Sequence, residues 1–287
     1  NFYATLAARL AGSRYIINNI NGLGIAFSGN SYKHKLLQLI IFISYQITFL
    51  LSDVVIFQNP DDLKLFKKKL LFVSKKFKLI EGSGVDINKY KMKSEYAPTV
   101  NELKNGLGIK NKKVILAVSR LIPEKGIYEL YKASKYFSSD YIFYWAGSVD
   151  KENPHSQSLL GQINDSDNFK FLGQRKDILY LLALADVFVL PSYYREGIPR
   201  AILEAMSMSK PIITTDTPGC RETVKDGYNG FLVRPKSVID LVRVIEQIFV
   251  LNYKNIGLNS RRLVSKKFSN NVVYNATKSI YLELLSN

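Results

Sequence analysis

Cysteine is nearly absent from this 287-residue chain: Cys220 stands alone, which excludes an internal disulfide and fits a reducing compartment. Histidine is almost as scarce, with only His34 and His155, and no His, Cys, Asp or Glu group has metal-ligand spacing. No side chain has the spacing of a dedicated base beside a nucleophile. With nine prolines and 47 % apolar residues the composition is that of an ordered globular chain, not of a disordered one. A long uninterrupted apolar run is missing too. The most apolar stretch, Leu36 to Leu51, is 16 residues long and holds Gln38 and Gln46, whereas a spanning helix needs about 20. It is expected to be a buried crossover helix in preference to one lying in a membrane plane. The chain opens on NFYATLAARLAG with neither an initiator Met nor a signal peptide, already in a helical pattern closed by Gly12. The expectation is a natural protein that starts earlier.

Negative charge is in short supply, 24 acidic residues against 40 basic ones, giving a formal net charge of +16. Residues 1–105 hold 15 basic and 7 acidic residues, a net of +8, and are nearly twice as basic per residue as the rest. Lys64, Lys67, Lys68, Lys69, Lys75, Lys76 and Lys78 form a patch that anionic lipid headgroups would attract at about 1 kcal/mol per basic residue. A merely solvated lysine face is the competing reading. Lysine without interleaved arginine or a binding motif makes nucleic acid the least supported partner.

The informative stretch runs from Asp186 to Val233. Asp186 to Leu190 is a β-branched, apolar run stopped by Pro191, Gly197 and Pro199 punctuate a loop, and Ala201 to Met208 is dense in helix formers. Lys210 to Asp216 reads as a second strand and Phe231 to Val233 as a third. Similar units recur elsewhere: strands at Arg14 to Ile20, Ser52 to Phe57, Phe77 to Asp86, from Lys113, Tyr141 to Gly147 and Asn168 to Leu172. Between them lie helices at His34 to Leu51, Asp61 to Lys69, His155 to Ile163 and Ile178 to Ala185, the last with Asp177 as its N-cap. Lys89 to Lys104 is polar, lacks a clear period and reads as a linker, and three helical runs end the chain. The last of them, Asn271 to Leu285, carries a docking stripe of Val273, Ile280, Tyr281 and Leu284. Repeated strand-loop-helix units imply parallel α/β sheets, whose ligands sit beyond the carboxyl ends of the strands.

Two carboxylates stand out, Glu196 in the loop and Glu204 in the helix, with seven residues between them. Glu204 lies among Ile202, Leu203, Ala205 and Met206, so it is either on the wet side of the helix or has a polar partner. A vicinal diol would suit it, since one carboxylate accepts two hydrogen bonds, while Gly197 lets a ligand approach the loop and the helix start offers N–H groups to an anion.

The run E-G-I-P-R-A-I-L-E-A-M-S-M-S-K-P-I-I, followed by T-P-G-C-R-E and D-G-Y-N-G-F-L-V, closely resembles the donor half of retaining glycosyltransferases of family 4, the group 1 transferases. The likeness is greatest to the bacterial branch that builds capsule, O-antigen and lipid-linked glycans, and it extends over about residues 1–285. It implies a GT-B fold of two Rossmann-like domains facing across a cleft. The first, incomplete domain would span residues 1–105 with its linker, the donor domain 106–267, and a helix crossing back 268–287. It further implies that Arg120 and Lys125 of S-R-L-I-P-E-K-G grip the donor diphosphate and that Glu196 faces the donor sugar. Nucleotide contacts would come from Gly173, Gln174, Arg175, Gly197, Ile198, Pro199, Arg200, Ala201 and Glu204, the last holding the ribose. The loop Asn21 to Gly24 resembles a family loop at the interdomain cleft, although an ordinary strand-to-helix turn reads equally well.

The implied activity is front-face transfer of a hexosyl or N-acetylhexosaminyl group from a UDP-sugar to a polyprenyl-diphosphate-linked or growing glycan. No cofactor or metal is expected, the nucleotide-sugar being a substrate. The implied location is peripheral, on the inner face of the bacterial cytoplasmic membrane. A nucleotide-sugar 2-epimerase shares the fold but would require carboxylates and a histidine near the sugar, and a non-catalytic nucleotide-binding module is the third reading.

Overall fold

Apolar strand runs separated by helices close into two parallel sheets. The structure is a computed structural model and describes residues 1–27, 31–109, 111–149, 154–163, 167–251 and 253–286. The first unit comprises α1 (Phe2–Leu10), β1 (Ile17–Ile20), α2 (Tyr32–Leu51), β2 (Val54–Phe57), α3 (Pro60–Lys69) and β3 (Phe77–Leu79), its strands pairing in parallel in the order β1-β2-β3. Its core is aromatic: the rings of Phe49, Phe57, Phe66 and Phe77 meet with centroids 5.1–6.1 Å apart, near the offset and edge-on geometries that ring quadrupoles prefer.

The second unit follows as α4 (Ala97–Gly106), β4 (Lys113–Val118), α5 (Ile127–Ser134), β5 (Tyr141–Ala146), α6 (Pro154–Ile163), β6 (Phe169–Gly173), α7 (Ile178–Leu184), β7 (Val187–Leu190), α8 (Arg200–Ser207), β8 (Ile212–Thr215), β9 (Gly230–Val233), α9 (Val238–Val250) and α10 (Tyr253–Lys267). Its six strands are parallel in the order β6-β5-β4-β7-β8-β9. Residues of α4, α7, α8 and α10 cover one face, and residues of α5, α6 and α9 the other. The order reverses between β4 and β7, which puts a crevice at their carboxyl ends.

Four sequence expectations change. The strand starting at Phe77 stops at Leu79, and the following residues form a crossing: Val85 N–H donates to Phe268 O at 3.0 Å and Asn270 N–H to Val85 O at 3.0 Å, so the outgoing and returning chains run side by side. The stretch read as a linker contains α4, which Pro98 can begin because a first-turn residue needs no amide donor, and whose Val100 and Leu103 pack against the core of the second sheet. In α11 (Asn270–Leu285), Val273, Ala276, Ile280 and Leu284 pack on Val54, Ile56 and Ile80 of the first unit, whereas Tyr281 is exposed. Spacings of three and four place Ala276, not Tyr281, on that stripe.

α2 departs most. It is 20 residues long, and only 11 % of His34–Leu51 is buried. Phe42, Tyr45 and Phe49 pack inward, while Leu36, Leu39, Ile40, Ile43, Ile47 and Leu50 are exposed. The 18 residues His34–Leu51 are long and apolar enough by composition to cross a membrane, but one face of the helix is committed to the first sheet. It is not the buried crossover helix expected from the sequence.

Candidate active site

Gly126, with φ 79°, lets the loop after β4 run against the loop after β7, since a Cβ there would overlap the Pro191 carbonyl. Two backbone bonds then join the loops, Tyr193 N–H and Tyr194 N–H to Glu124 O at 2.9 and 3.1 Å. This approach brings Lys125 to Glu196: Nζ lies 2.6 Å from Oε2, with both side chains largely buried. Ser192 Oγ donates to Glu196 Oε1 at 2.7 Å, and Ser192 is itself fixed through its carbonyl by the hydroxyls of Thr215 and Thr217. The Glu196 carboxylate thus has one oxygen on a cation and one on a hydroxyl, at the switch point of the six-stranded sheet.

α8 starts beside this pair at Arg200, with Pro199 at its N-cap, no side-chain cap and no acid in its first turn. Its positive dipole end remains available to an anion. Ile198 is buried under Gly82 of the crossing segment, and Gly197, expected from the sequence to admit a ligand, is instead buried against Asn21 and Gln58 of the first unit, which leaves Ala201 and the exposed Arg200 at the helix start. Arg120 is exposed, and its guanidinium makes no hydrogen bond or ion pair with the described residues. It shares the loop of Lys125 but not its contacts.

Glu204 has the polar partners its apolar surroundings demanded. Arg200 Nε sits 3.2 Å from Oε1, and the Tyr90 hydroxyl donates to the carboxylate from the crossing segment. Burial raises the Glu204 pKa above the ordinary value, opposed by the Tyr90 bond and Arg200, and burial beside Glu204 pushes the Tyr90 phenol up to about 12. Tyr90 was not legible from the sequence, because 114 residues separate it from its partner.

Gly173, with φ 67°, ends β6, and its carbonyl accepts from Gly147 N–H at 2.8 Å, which sets the Gly173 to Asp177 loop beside the end of β5. Gln174 is exposed. Arg175 binds Asp177 in a fork, Nε at 2.8 Å and Nη2 at 2.6 Å. Asp177 stands at the N-cap of α7, where the sequence placed it, but without a capping side-chain bond, because the guanidinium outcompetes the helix amides. His34 pairs with Ser31 Oγ at the start of α2, and the side chain of His155 lies outside the described residues. Cys220 is buried, which pushes its thiol up to about 12.

The first unit closes over the site. A Cβ on Gly22 would overlap the backbone of Glu196 and Gly197, and Gly24 N–H donates to Arg195 O at 2.9 Å. The loop Asn21 to Gly24 is thus at the cleft, against the glutamate-bearing segment.

Two parallel α/β units facing across a cleft, with a cation–carboxylate pair at the switch point, make up the GT-B arrangement. Residues 99–263 match the family Glycosyl transferases group 1, and the chain belongs to that family. It is 27 % identical over 290 residues to the N,N'-diacetylbacillosaminyl-diphospho-undecaprenol alpha-1,3-N-acetylgalactosaminyltransferase of Campylobacter jejuni, covering 100 % of this chain and 75 % of that one. It is 28 % identical to a UDP-Gal:alpha-D-GlcNAc-diphosphoundecaprenol alpha-1,3-galactosyltransferase of Escherichia coli, covering 98 % and 72 %. The fold matches the crystal structure of Anabaena HepE in complex with UDP, with a TM-score of 0.82 at 24 % identity over 100 % of this chain and 76 % of that one.

Proposed function

We propose that this chain transfers a sugar from a UDP-sugar to a polyprenyl-diphosphate-linked glycan with retention at the anomeric carbon. The observation that carries the reading is the Lys125–Glu196–Ser192 cluster beside the uncapped start of α8. In this scheme the acceptor hydroxyl oxygen bonds to the anomeric carbon on the face that the diphosphate leaves. The carbon–oxygen bond to the β-phosphate breaks, its electron pair stays on the phosphate oxygen, and that oxygen takes the hydroxyl proton. The residues that serve this step are those that meet growing negative charge: Lys125 as a point charge, Arg120 as a planar fork and the α8 dipole. Glu196 orients the sugar hydroxyls, Glu204 the ribose, and backbone groups of Gly173, Gln174 and Arg175 the base. The two named relatives act, by their names, on diphospho-undecaprenol-linked sugars, which supports the acceptor class.

Incubation with labelled UDP-sugars is expected to move label into a lipid-extractable product only when a polyprenyl-diphosphate-linked sugar is present. Conversion of the donor sugar without acceptor would instead indicate an epimerase. UDP binding without turnover on any donor–acceptor pair would indicate a binding module. Either result overturns the proposal.

A peripheral position on an anionic membrane accounts for the exposed face of α2. Its exposed leucines and isoleucines end near Phe72, which is 98 % exposed, and Lys75 is exposed three residues on. Lys64, Lys67, Lys68 and Lys69 add charge along α3. Two lysines of the patch have other work: Lys76 Nζ donates to the carbonyls of Phe49, Leu50 and Ser52 at the end of α2, and Lys78 pairs with Glu283 at 3.1 Å. Flotation with phosphatidylglycerol vesicles is expected to fall as salt shortens the Debye length to about 8 Å at physiological ionic strength, and to fall further in Ile40→Asp/Ile43→Asp. Flotation indifferent to salt, lipid charge and these substitutions would remove the membrane from the reading.

A further inference from the structure

The segment carrying Glu196 is held from both sides of the cleft, and the first-unit side is built from the sequence N-P-D-D. Asn59 caps α3, its Oδ1 accepting from Asp62 N–H at 2.8 Å, and Pro60 follows where its missing amide costs nothing. This start fixes Asp62, whose side chain is fully buried. Asp62 Oδ1 accepts from Arg195 Nε at 2.7 Å, and Oδ2 from Asn59 Nδ2 at 2.9 Å. The same Asn59 amide donates to the Glu196 carbonyl at 3.1 Å. Gly24 N–H holds the Arg195 carbonyl, and Asp61 Oδ2 reaches Arg221 Nη1 at 3.1 Å. Arg195 and Glu196 are thus gripped by three first-unit residues, whereas the Glu196 carboxylate is gripped by Lys125 and Ser192 of the second unit.

We infer that Asp62 and Asn59 are positioning residues for Glu196, and that their contacts to Arg195 and Glu196 form only when the two units close. The inference rests on the proposed role of Glu196 toward the donor sugar. In the pair Asp62 is wholly out of water and Arg195 largely so, and the attraction offsets that loss only with good geometry and further hydrogen bonds. The Asn59 bond to Asp62 Oδ2 meets that condition, while the Asn59 bond to the Glu196 carbonyl and the Gly24 bond to the Arg195 carbonyl fit one arrangement of the cleft. The pair therefore selects a closed register more than it adds holding strength, and the register it selects sets the backbone from which Glu196 projects. The nucleotide contacts proposed above lie wholly in the second unit, so donor binding and carboxylate positioning are separable. Misplacement by about 1 Å at a reacting centre can cost about 100-fold.

The test compares Asp62→Asn, Arg195→Gln and the double variant. Both single variants are expected to lower kcat by about 10- to 100-fold with UDP affinity within about twofold of the parent. The double variant should be no slower than the worse single, as for two halves of one contact. Amide hydrogen exchange in residues 193–198 should accelerate in each, while exchange in β4 stays unchanged. The exchange readout needs no turnover, so it stands even if the proposed transfer reaction fails. Unchanged exchange at 193–198 in both singles overturns the inference. So does a parallel loss of UDP affinity and β4 protection, which would mark a general loss of fold, and so do additive losses in the double variant.

Discussion

Lys125→Ala and Arg120→Ala are each expected to lower turnover by at least about 100-fold, the cost of removing one preorganised group from developing transition-state charge. The two variants should differ in stability, which separates chemistry from folding. Lys125 is buried against Glu196 at 2.6 Å, and removing one member of a buried pair costs about 3 to 5 kcal/mol by leaving the other charge uncompensated. Its melting temperature should drop. Arg120 is exposed and makes no ion pair among the described residues, so Arg120→Ala should melt with the parent and still turn over slowly. Steady-state kinetics beside thermal melts check both. Near-normal turnover in both variants removes the diphosphate role from the loop.

The second large effect is expected at the ribose. Glu204→Gln keeps the shape of the side chain and removes its charge, so losing one charge-assisted hydrogen bond should weaken UDP binding by about 1.5 to 3 kcal/mol. pH provides a second check. Burial raises the Glu204 pKa, and in the proposed binding mode ribose hydroxyls would donate to the ionised carboxylate, so binding would favour the deprotonated form. UDP affinity is therefore full above the raised pKa and declines as pH falls through it, and Glu204→Gln should lose the part of that decline that Glu204 causes. Calorimetry across pH measures both quantities. An unchanged affinity would take Glu204 out of the ribose role.

The contrast between these two carboxylates marks what sequence and structure each supplied. Order of elements, parallel strands, the loop positions of Lys125 and Glu196, and the helix bearing Glu204 follow from local periodicity and from glycines and prolines at turns, information that lies within a few residues. α4 was legible in principle too, through Val100, Leu103 and Leu107 at helical spacing, but its polar positions and Pro98 masked it.

Partners were not legible. That Lys125 pairs with Glu196, Tyr90 with Glu204, and Asp62 with Arg195 depends on loops brought together by the strand order and the closed cleft, across 71, 114 and 133 residues respectively. Nothing local encodes those distances. The exposed face of α2 belongs with them: composition gave an apolar helix, but only packing decides which side meets the sheet, because Phe42, Tyr45 and Phe49 fill one face and leave the leucines and isoleucines of the other exposed.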